Sequence, residues 1–197
     1  MKNNHSVCAS CQVLPWAPTA PRRCICHGVN LDLGASDHKQ AGFLGVDRRA
    51  VKNVDFVWDL EQLPWPFPDN CVDQLLASHL LEHIAPKVTV DFWDEMWRIL
   101  KPQGQLLVVV PHGHSYGMLQ DPTHCSFYVE ATFAYFCPAH ISRLYEVYQP
   151  HPWTLQRINS YPLGNIECNL MPIKEEPHAR QRTRARANGH SARHARG

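Results

Sequence analysis

The sequence predicts an α/β protein with a mostly parallel sheet, helices on both faces and an antiparallel edge strand. Between residues 29 and 111, short apolar segments alternate with helical or turn segments, which is typical of a parallel sheet flanked by helices. These apolar segments are rich in Val, Leu and Phe with little polar alternation, as expected for strands covered on both faces. Several of them end on Gly or Asp, at the edge where such sheets bind ligands.

The strands and helices can be placed in chain order. We predict parallel strands at residues 29–33, 43–47, 54–58, 73–78 and 105–110, and two antiparallel edge strands at 145–148 and 166–170. Residues 89–100 form the best predicted helix because Phe92, Met96 and Ile99 recur at helical spacing. Residues 36–42 are too few for a regular crossover helix but long enough, when extended, to return along a strand.

Composition divides the chain into three parts and indicates that it is neither a membrane nor a secreted protein. We predict a Cys/Pro-rich leader over residues 1–28, one domain over 29–173 with a cap-like insertion at about 112–144, and a basic disordered tail over 174–197. The 197 residues are 44% hydrophobic, enough for a substantial core. The longest apolar run, 106–110, cannot span a bilayer, and prolines interrupt the N-terminus where a secretory signal would lie. We therefore expect a cytoplasmic protein with no membrane partner.

The C-terminal tail carries a net positive charge. It holds Lys174 and six Arg against Glu175 and Glu176, a net of +5 in a chain of net +1. Such a tail could bind phosphates weakly. No recognition helix or base-stacking motif accompanies it, so an enzyme that acts on nucleic acid is not expected.

Three neighbouring strand ends present ligand-binding residue types. Gly34 ends the first predicted strand, and a glycine lets a backbone approach a ligand closely. Asp47 ends the second, where a carboxylate can accept both hydrogens of a ribose diol. Asp59 follows the third, where a carboxylate can accept from an adenine amino group.

The order of motifs supports a family resemblance. The motifs are Val29-Asn-Leu-Asp-Leu-Gly34, Gly42-Phe-Leu-Gly-Val-Asp47, Pro66-Phe-Pro-Asp-Asn70, His79-Leu-Leu-Glu-His-Ile84, Leu100-Lys-Pro-Gln-Gly104 and Asp121-Pro-Thr-His124. Residues 29–111 resemble a class I S-adenosylmethionine (SAM)-dependent methyltransferase, in particular small bacterial and phage-type members of the type 11 group. The resemblance implies a Rossmann-like fold, S-adenosyl-L-methionine as cofactor, and a small-molecule or glycan acceptor.

The resemblance also assigns residues to the cofactor. Asp32 and Gly34 would lie near the methionine portion, and Asp47 would hold the ribose hydroxyls. Asp59, with the Leu60 backbone, would meet the adenine. Ser78 and His79, at the end of the fourth strand, would line the methionine and methyl side.

The chain departs from this family at the first strand, where Gly34-Ala35-Ser36 lacks the second glycine of the usual Gly-x-Gly. This departure favours an alternative, a non-catalytic methyltransferase-like module that binds SAM. A nicotinamide-dependent oxidoreductase is a third reading, but it would need Gly-x-Gly-x-x-Gly after the first strand, and the sequence lacks it.

Histidines after the fifth strand are the candidates for acceptor chemistry. His124, or His112, could orient or deprotonate the acceptor, since an imidazole titrates near neutrality. A structural alternative is that Asp121 and Thr123 build a turn around Pro122 and that His124 bonds to the backbone.

Metal sites are considered but no metal is expected in the leading interpretation. One alternative set joins His112, His114, Asp121 and His124; another is a structural zinc held by Cys8, Cys11, Cys24 and Cys26. His79 and His83 flank Glu82 in an order that differs from the His-Glu-x-x-His of zinc proteases, so that function is rejected.

Overall fold

The computed structural model describes residues 28–174, which form one seven-stranded sheet. Its strands are β1 (Asn30–Leu33), β2 (Leu44–Asp47), β3 (Val54–Val57), β4 (Val72–Ser78), β5 (Leu100–Pro111), β6 (Trp153–Ser160) and β7 (Asn165–Pro172). The strand order is β3-β2-β1-β4-β5-β7-β6. β1 to β5 are parallel neighbours, whereas β7 runs antiparallel to both β5 and β6. The predicted fold class is therefore confirmed, including the antiparallel edge.

Helical elements surround this sheet. They are α1 (Thr89–Ile99), α2 (Tyr116–Gln120), α3 (Tyr145–Tyr148) and the 3-10 turns Leu81–His83, Pro86–Val88 and Glu130–Phe136. The predicted helix at 89–100 is confirmed as α1, and Pro86 begins the turn that leads into it. Within residues 28–174, none of these helices has the length and apolarity needed to cross a membrane.

The strand order reverses between β1 and β4, because the chain first builds outward through β2 and β3 and then returns. In such sheets the carboxyl ends on either side of the reversal form a crevice for ligands. Every residue predicted to bind the cofactor lies in β1–β4 or within three residues beyond their carboxyl ends.

The prediction of a strand at 145–148 is wrong. Those residues form the short helix α3, which Gln149 ends in a left-handed conformation with φ 49°. The first antiparallel edge strand is instead β6, which the sequence prediction missed. Tyr-Glu-Val-Tyr has strand propensity, but Tyr148 packs on Tyr135 with ring centroids 5.5 Å apart, and tertiary contact overrides propensity.

The link between β1 and β2 has no helix, as its length predicted. Side chains from the strands hold it in place. The Gln40 amide donates to Asp32 Oδ2 at 2.7 Å, and Lys39 Nζ donates to Asp55 Oδ2 at 2.6 Å. Burial raises the pKa of the Asp32 carboxyl, against the opposing effects of the Gln40 amide and Lys39. Asp32 thus has a structural partner within its own crossover.

A cluster of aromatic side chains joins the segment after β5 to α1. Trp93 is fully buried and stacks on Phe136 with ring centroids 4.0 Å apart, while Phe133 and Trp153 pack edge-on against it. Offset and edge-to-face aromatic pairs are favourable beyond their buried area. This cluster fixes residues 130–136, which helps to hold the preceding segment, 112–129, against the sheet.

Candidate functional site

The carboxyl ends of β1, β2 and β3 lie side by side, and we call them the β1–β3 edge. The turn after β1 is held to β2 by two backbone amides, since Gly34 N and Ala35 N both donate to Val46 O, at 2.8 and 3.2 Å. Ser36 N donates to the Asp47 carboxylate at 2.9 Å. The turn after the first strand and the acid ending the second strand therefore form one hydrogen-bonded unit.

Asp47 is the most constrained carboxylate at this edge. It is 6% exposed, and its Oδ1 accepts from the backbone amide and the Nε of Arg49 at 2.8 and 3.2 Å. Burial alone would raise the pKa of Asp47, but its contacts with Arg49 and Ser36 outweigh burial and hold the pKa below its ordinary value. Asp47 is therefore ionised at neutral pH.

Arg49 is a partner of Asp47 that the sequence analysis missed. Its guanidinium reaches back over the β1–β3 edge, where Nη2 donates to Ser36 Oγ at 2.9 Å. Its side chain is 57% exposed, so this contact is made at the surface. The only sequence signal was its position two residues after a strand-end acid.

Gly34 is required by its own conformation and by a neighbour. Its φ is +71°, and a Cβ at this position would lie 2.9 Å from Leu80 Cδ1. The missing side chain therefore makes room for Leu80, which arrives from the end of β4. Ser36 also has a positive φ, of 48°, so the turn stays tight without a second glycine.

Asp59 lies on the same edge as Asp47. Asp47 is in register with Val57, and Trp58 N donates to Asp47 O at 2.9 Å, which places Asp59 just beyond the end of β3. Its side chain is exposed and accepts the Glu61 amide at 3.1 Å. The next residue, Leu60, is 5% exposed, and its carbonyl accepts from Trp65 Nε1.

This donor and acceptor set fits an adenosine. A carboxylate offers about four lone-pair directions, and three donors already occupy Asp47. The exposed Arg49 side chain supplies one of them and can rotate away, which leaves Asp47 able to accept from both hydroxyls of a ribose. Asp59 offers an exposed acceptor near the buried Leu60, which suits the polar edge and apolar face of a purine.

Ser78 and His79 end β4 on the other side of the strand-order reversal. His79 N donates to Val109 O at 2.8 Å, and its φ of 52° is unusual for a residue with a side chain. Its Nδ1 lies 3.3 Å from Glu82 Oε1, and this carboxylate raises the pKa of His79. Strained backbone of this kind is concentrated at functional sites.

The profile of the methyltransferase domain family matches residues 7–108, which is more than half of the chain. The chain belongs to this family. It is a SAM-dependent methyltransferase of type 11, and S-adenosyl-L-methionine is its cofactor. The matched range begins inside the segment predicted as a leader, residues 1–28, most of which lies outside the described residues.

Solved structures share the fold of this methyltransferase at low sequence identity. A SAM-dependent methyltransferase from Archaeoglobus fulgidus is 14% identical, covers 80% of this chain and 89% of its own, and has a TM-score of 0.53. The 1,6-didemethyltoxoflavin-N1-methyltransferase of Burkholderia thailandensis, solved with S-adenosylhomocysteine, is 15% identical over 74% of this chain and 71% of its own, with a TM-score of 0.52.

A third structure with the same fold is the complex of the Haloferax volcanii Trm112 methyltransferase activator with a methyltransferase. It is 14% identical, covers 83% of this chain and 88% of its own, and has a TM-score of 0.52. No curated protein matches the sequence.

His124, which the sequence analysis predicted to meet the acceptor, lies against the turn after β4. Its Nδ1 lies 2.9 Å from Met118 O, which accepts only if this nitrogen carries the proton. Its Nε2 accepts no hydrogen bond within residues 28–174 and lies 3.9 Å from Glu82 Oε1 and 4.0 Å from Asp121 Oδ2. Asp121 and Thr123 also form the predicted turn, since Thr123 N donates to Asp121 Oδ1 at 2.8 Å.

His112 is placed differently. It is 3% exposed, its Nδ1 accepts the His114 amide at 3.1 Å, and its Nε2 lies 3.5 Å from Glu130 Oε2. Both ring nitrogens of His112 therefore have partners within the segment that follows β5.

The metal set of His112, His114, Asp121 and His124 is not assembled. Among residues 28–174, the one group of three or more metal-ligating side chains close enough to share an ion is Glu82, His83 and His124. In the sequence, Glu82 and His83 were noticed as part of the His79–Ile84 family motif and as a rejected protease pattern. They were not grouped with His124, because nothing in the sequence shows that a segment forty residues later folds onto them. Cys8, Cys11, Cys24 and Cys26 lie outside the described residues.

Proposed function

We propose that this methyltransferase holds the adenosine half of SAM at the β1–β3 edge and methylates a small-molecule or glycan acceptor. The observation that carries the cofactor assignment is the Asp47 carboxylate, which is buried, ionised and fixed by Ser36 N at the carboxyl end of β2. A neutral diol is the natural ligand of such an acceptor, because a charge-assisted hydrogen bond is about twice as strong as a neutral one.

The other cofactor roles follow the positions of the strand ends. Asp59 and the Leu60 backbone take the adenine beyond β3. Asp32 of β1 and Gly34 just beyond it, with Ser78 and His79 at the end of β4, line the methionine side.

The chemistry of the acceptor rim supports a small or glycan acceptor. The rim consists of residues 78–85 and 112–127, which contain five His and no Lys or Arg. Phosphate-rich polymers are held mainly by Lys and Arg, so this rim suits a hydroxyl-bearing acceptor better. Tyr116 and Leu119 on α2 are 77% and 69% exposed, and they offer an apolar surface to a ring face.

His124 is the residue we assign to the acceptor. Its Nδ1 contact with Met118 O holds the ring in place and leaves Nε2 as the nitrogen that can meet a hydroxyl, to orient it or to take its proton. His112 takes a supporting role, since its two nitrogens face His114 and Glu130.

A thermal-shift titration with SAM, S-adenosylhomocysteine and NAD tests the cofactor site. A ligand at 100 times its dissociation constant stabilises the folded state by about 2.7 kcal/mol, so SAM and S-adenosylhomocysteine should raise the Tm and NAD should not. An equal response to NAD, or none to SAM, contradicts the assignment.

The acceptor class is tested by transfer of a tritiated methyl group from SAM to fractionated cell extract. We expect label in the small-molecule or carbohydrate fraction, and we expect His124→Gln to remove it while SAM binding is retained. Label confined to the RNA, DNA or protein fraction would reject the proposed acceptor class. Transfer without SAM-dependent stabilisation would point to a different cofactor site.

A further inference from the structure

The most unusual group outside the β1–β3 edge is the carboxylate of Glu82, in the 3-10 turn that follows β4. Glu82 is 0% exposed, and within residues 28–174 neither of its side-chain oxygens accepts a hydrogen bond of ordinary geometry. Buried carboxylates are normally paired, hydrogen-bonded or bound to a metal, because desolvation strongly disfavours an isolated charge. Two imidazole nitrogens lie within 4 Å of Oε1, namely His79 Nδ1 at 3.3 Å and His124 Nε2 at 3.9 Å.

A later segment of the chain carries one of these imidazoles to Glu82. The amides of Cys125 and Ser126 donate to Glu82 O at 2.8 and 3.0 Å, and Ser126 Oγ donates to Ile84 O at 2.7 Å. Residues 121–126 are therefore docked on the turn by backbone contacts. His124 is held in place without using its Nε2.

The resulting His–Glu cluster consists of Glu82, His83 and His124. One ligand atom from each side chain lies within 4.8 Å of the other two, and the two imidazole rings pack edge-on at 4.6 Å. Ligands of a tetrahedral zinc lie roughly 3.3 Å apart, which follows from Zn–N and Zn–O distances of about 2.0–2.1 Å. The cluster needs to contract by only about 1–1.5 Å to hold an ion.

Hydrogen bonds behind the two histidines prepare them as ligands. Thr123 Oγ1 donates to Asp121 Oδ1 at 2.7 Å, so it accepts from His83 Nδ1, which lies 3.0 Å away. His124 Nδ1 likewise donates to Met118 O. In each ring the Nδ1 contact leaves Nε2 as the nitrogen available to an ion, and such support behind the ligating ring is the rule at metal sites.

His79 also touches Glu82, but it does not replace an ion. Its Nδ1 lies 3.3 Å from Glu82 Oε1, yet its side chain is 53% exposed. Ion pairs with a solvated partner contribute little. His79 is therefore a solvent-exposed partner of Oε1 alone, and Oε2 of Glu82 has no hydrogen-bond partner within residues 28–174.

We infer that Glu82, His83 and His124 bind a zinc-like divalent cation beside the acceptor rim. Two imidazoles and one carboxylate are a known ligand set of catalytic zinc sites, which keep one coordination position open. Magnesium and calcium prefer oxygen ligands, so a site with two imidazoles favours zinc over them. His83 is exposed, which provides the entry path for the ion. The inference rests on the proposed function, because the open position would hold the acceptor oxygen that His124 otherwise meets directly.

The test measures metal content in the full chain. Cys8, Cys11, Cys24 and Cys26 are changed to Ser so that their thiols bind no zinc, the protein is stripped with chelator and reloaded with Zn²⁺, and bound metal is counted after desalting. We expect about one zinc per chain, lost in Glu82→Gln and His83→Gln. Thr123→Val should weaken zinc binding about 10–100-fold, because it removes the support behind His83.

The matched control is His114→Gln, an exposed histidine of the same segment. It should keep its zinc, which separates the His–Glu cluster from a site made by the histidines that follow β5. Saturating zinc should raise the Tm of the parent by about 5–10 °C and that of Glu82→Gln by none. Cobalt in place of zinc should show tetrahedral absorption bands without thiolate charge transfer.

The inference is overturned if Glu82→Gln retains its zinc or if the parent binds none. It is also overturned if His114→Gln loses zinc as completely as Glu82→Gln does. Calorimetry with SAM on the stripped parent keeps the two proposals apart. SAM binding without zinc binding removes only the cation site, whereas zinc binding without SAM binding removes the β1–β3 assignment.

Discussion

The β1–β3 edge and the His–Glu cluster hold buried carboxylates in opposite ways. Asp47 is satisfied by Ser36 and Arg49, and its pKa is lowered as a result. Glu82 is more deeply buried and has no hydrogen bond of ordinary geometry within residues 28–174. A carboxylate that amides already hold can bind a neutral ligand such as a diol. A buried carboxylate without hydrogen bonds is stabilised more by a cation. The two regions lie at the same edge of one sheet and are built for ligands of different charge.

The largest expected effect is on cofactor affinity. Asp47→Ala removes both acceptors of the ribose diol, and hydrogen bonds to a charged group contribute about 1.5–3 kcal/mol each, so SAM should bind at least about 100-fold more weakly. Isothermal titration calorimetry measures this directly. Asp37→Asn, which removes an equal charge from the neighbouring exposed turn, should change affinity less than about threefold; unchanged affinity in Asp47→Ala would refute the ribose role.

A second experiment compares the stability of the two carboxylates in metal-free protein. Asp47→Asn should lower the free energy of unfolding by about 1–3 kcal/mol, because it disturbs satisfied hydrogen bonds. Glu82→Gln should cause no loss, and a gain of up to about 2 kcal/mol, because it removes a buried charge. Urea unfolding in the presence of chelator gives both values. Similar losses in the two variants would contradict the stated difference between Asp47 and Glu82.

A smaller effect is expected at Arg49, whose side chain competes for the same carboxylate as the ribose. Arg49→Ala frees Asp47 Oδ1 from the Nε contact and removes a cation from the approach of a cationic cofactor. SAM affinity should therefore rise by about two- to fivefold, consistent with a surface ion pair worth less than about 1 kcal/mol. Arg48→Ala is the matched control; an affinity loss in Arg49→Ala would show that Arg49 binds the cofactor.

The smallest effect concerns acid. Because the pKa of folded Asp47 lies below its ordinary value of 3.8, its stabilising contribution is complete above that pH and is lost as the pH falls through the lowered value. The stability difference between wild type and Asp47→Asn should be constant from pH 7 to 5 and should shrink below about 3.8. A difference that grows in acid would contradict the assigned direction.

The strands of the parallel half could be predicted from the sequence because buried parallel strands are continuous apolar runs. β1, β2, β3 and β4 lie within one residue of their predicted limits at each end, and the acid or glycine at their ends located the β1–β3 edge. The strands of the antiparallel half were predicted less well from the sequence. β6 carries an irregular pattern of exposed side chains, and the more apolar 145–148 segment became a helix.

Local sequence by itself determined the alternation of strands with helical or turn segments over residues 29–111, the helix-free link at 36–42 and the acids at the strand ends. These features depend on spacing and burial along a short stretch of chain. Tertiary structure alone decided the partners of those acids. Arg49 turned back onto Asp47, and residues 121–126 docked on the turn after β4, forty residues earlier in the chain. Whether a carboxylate is satisfied depends on which donors the fold brings to it, and that information is not local.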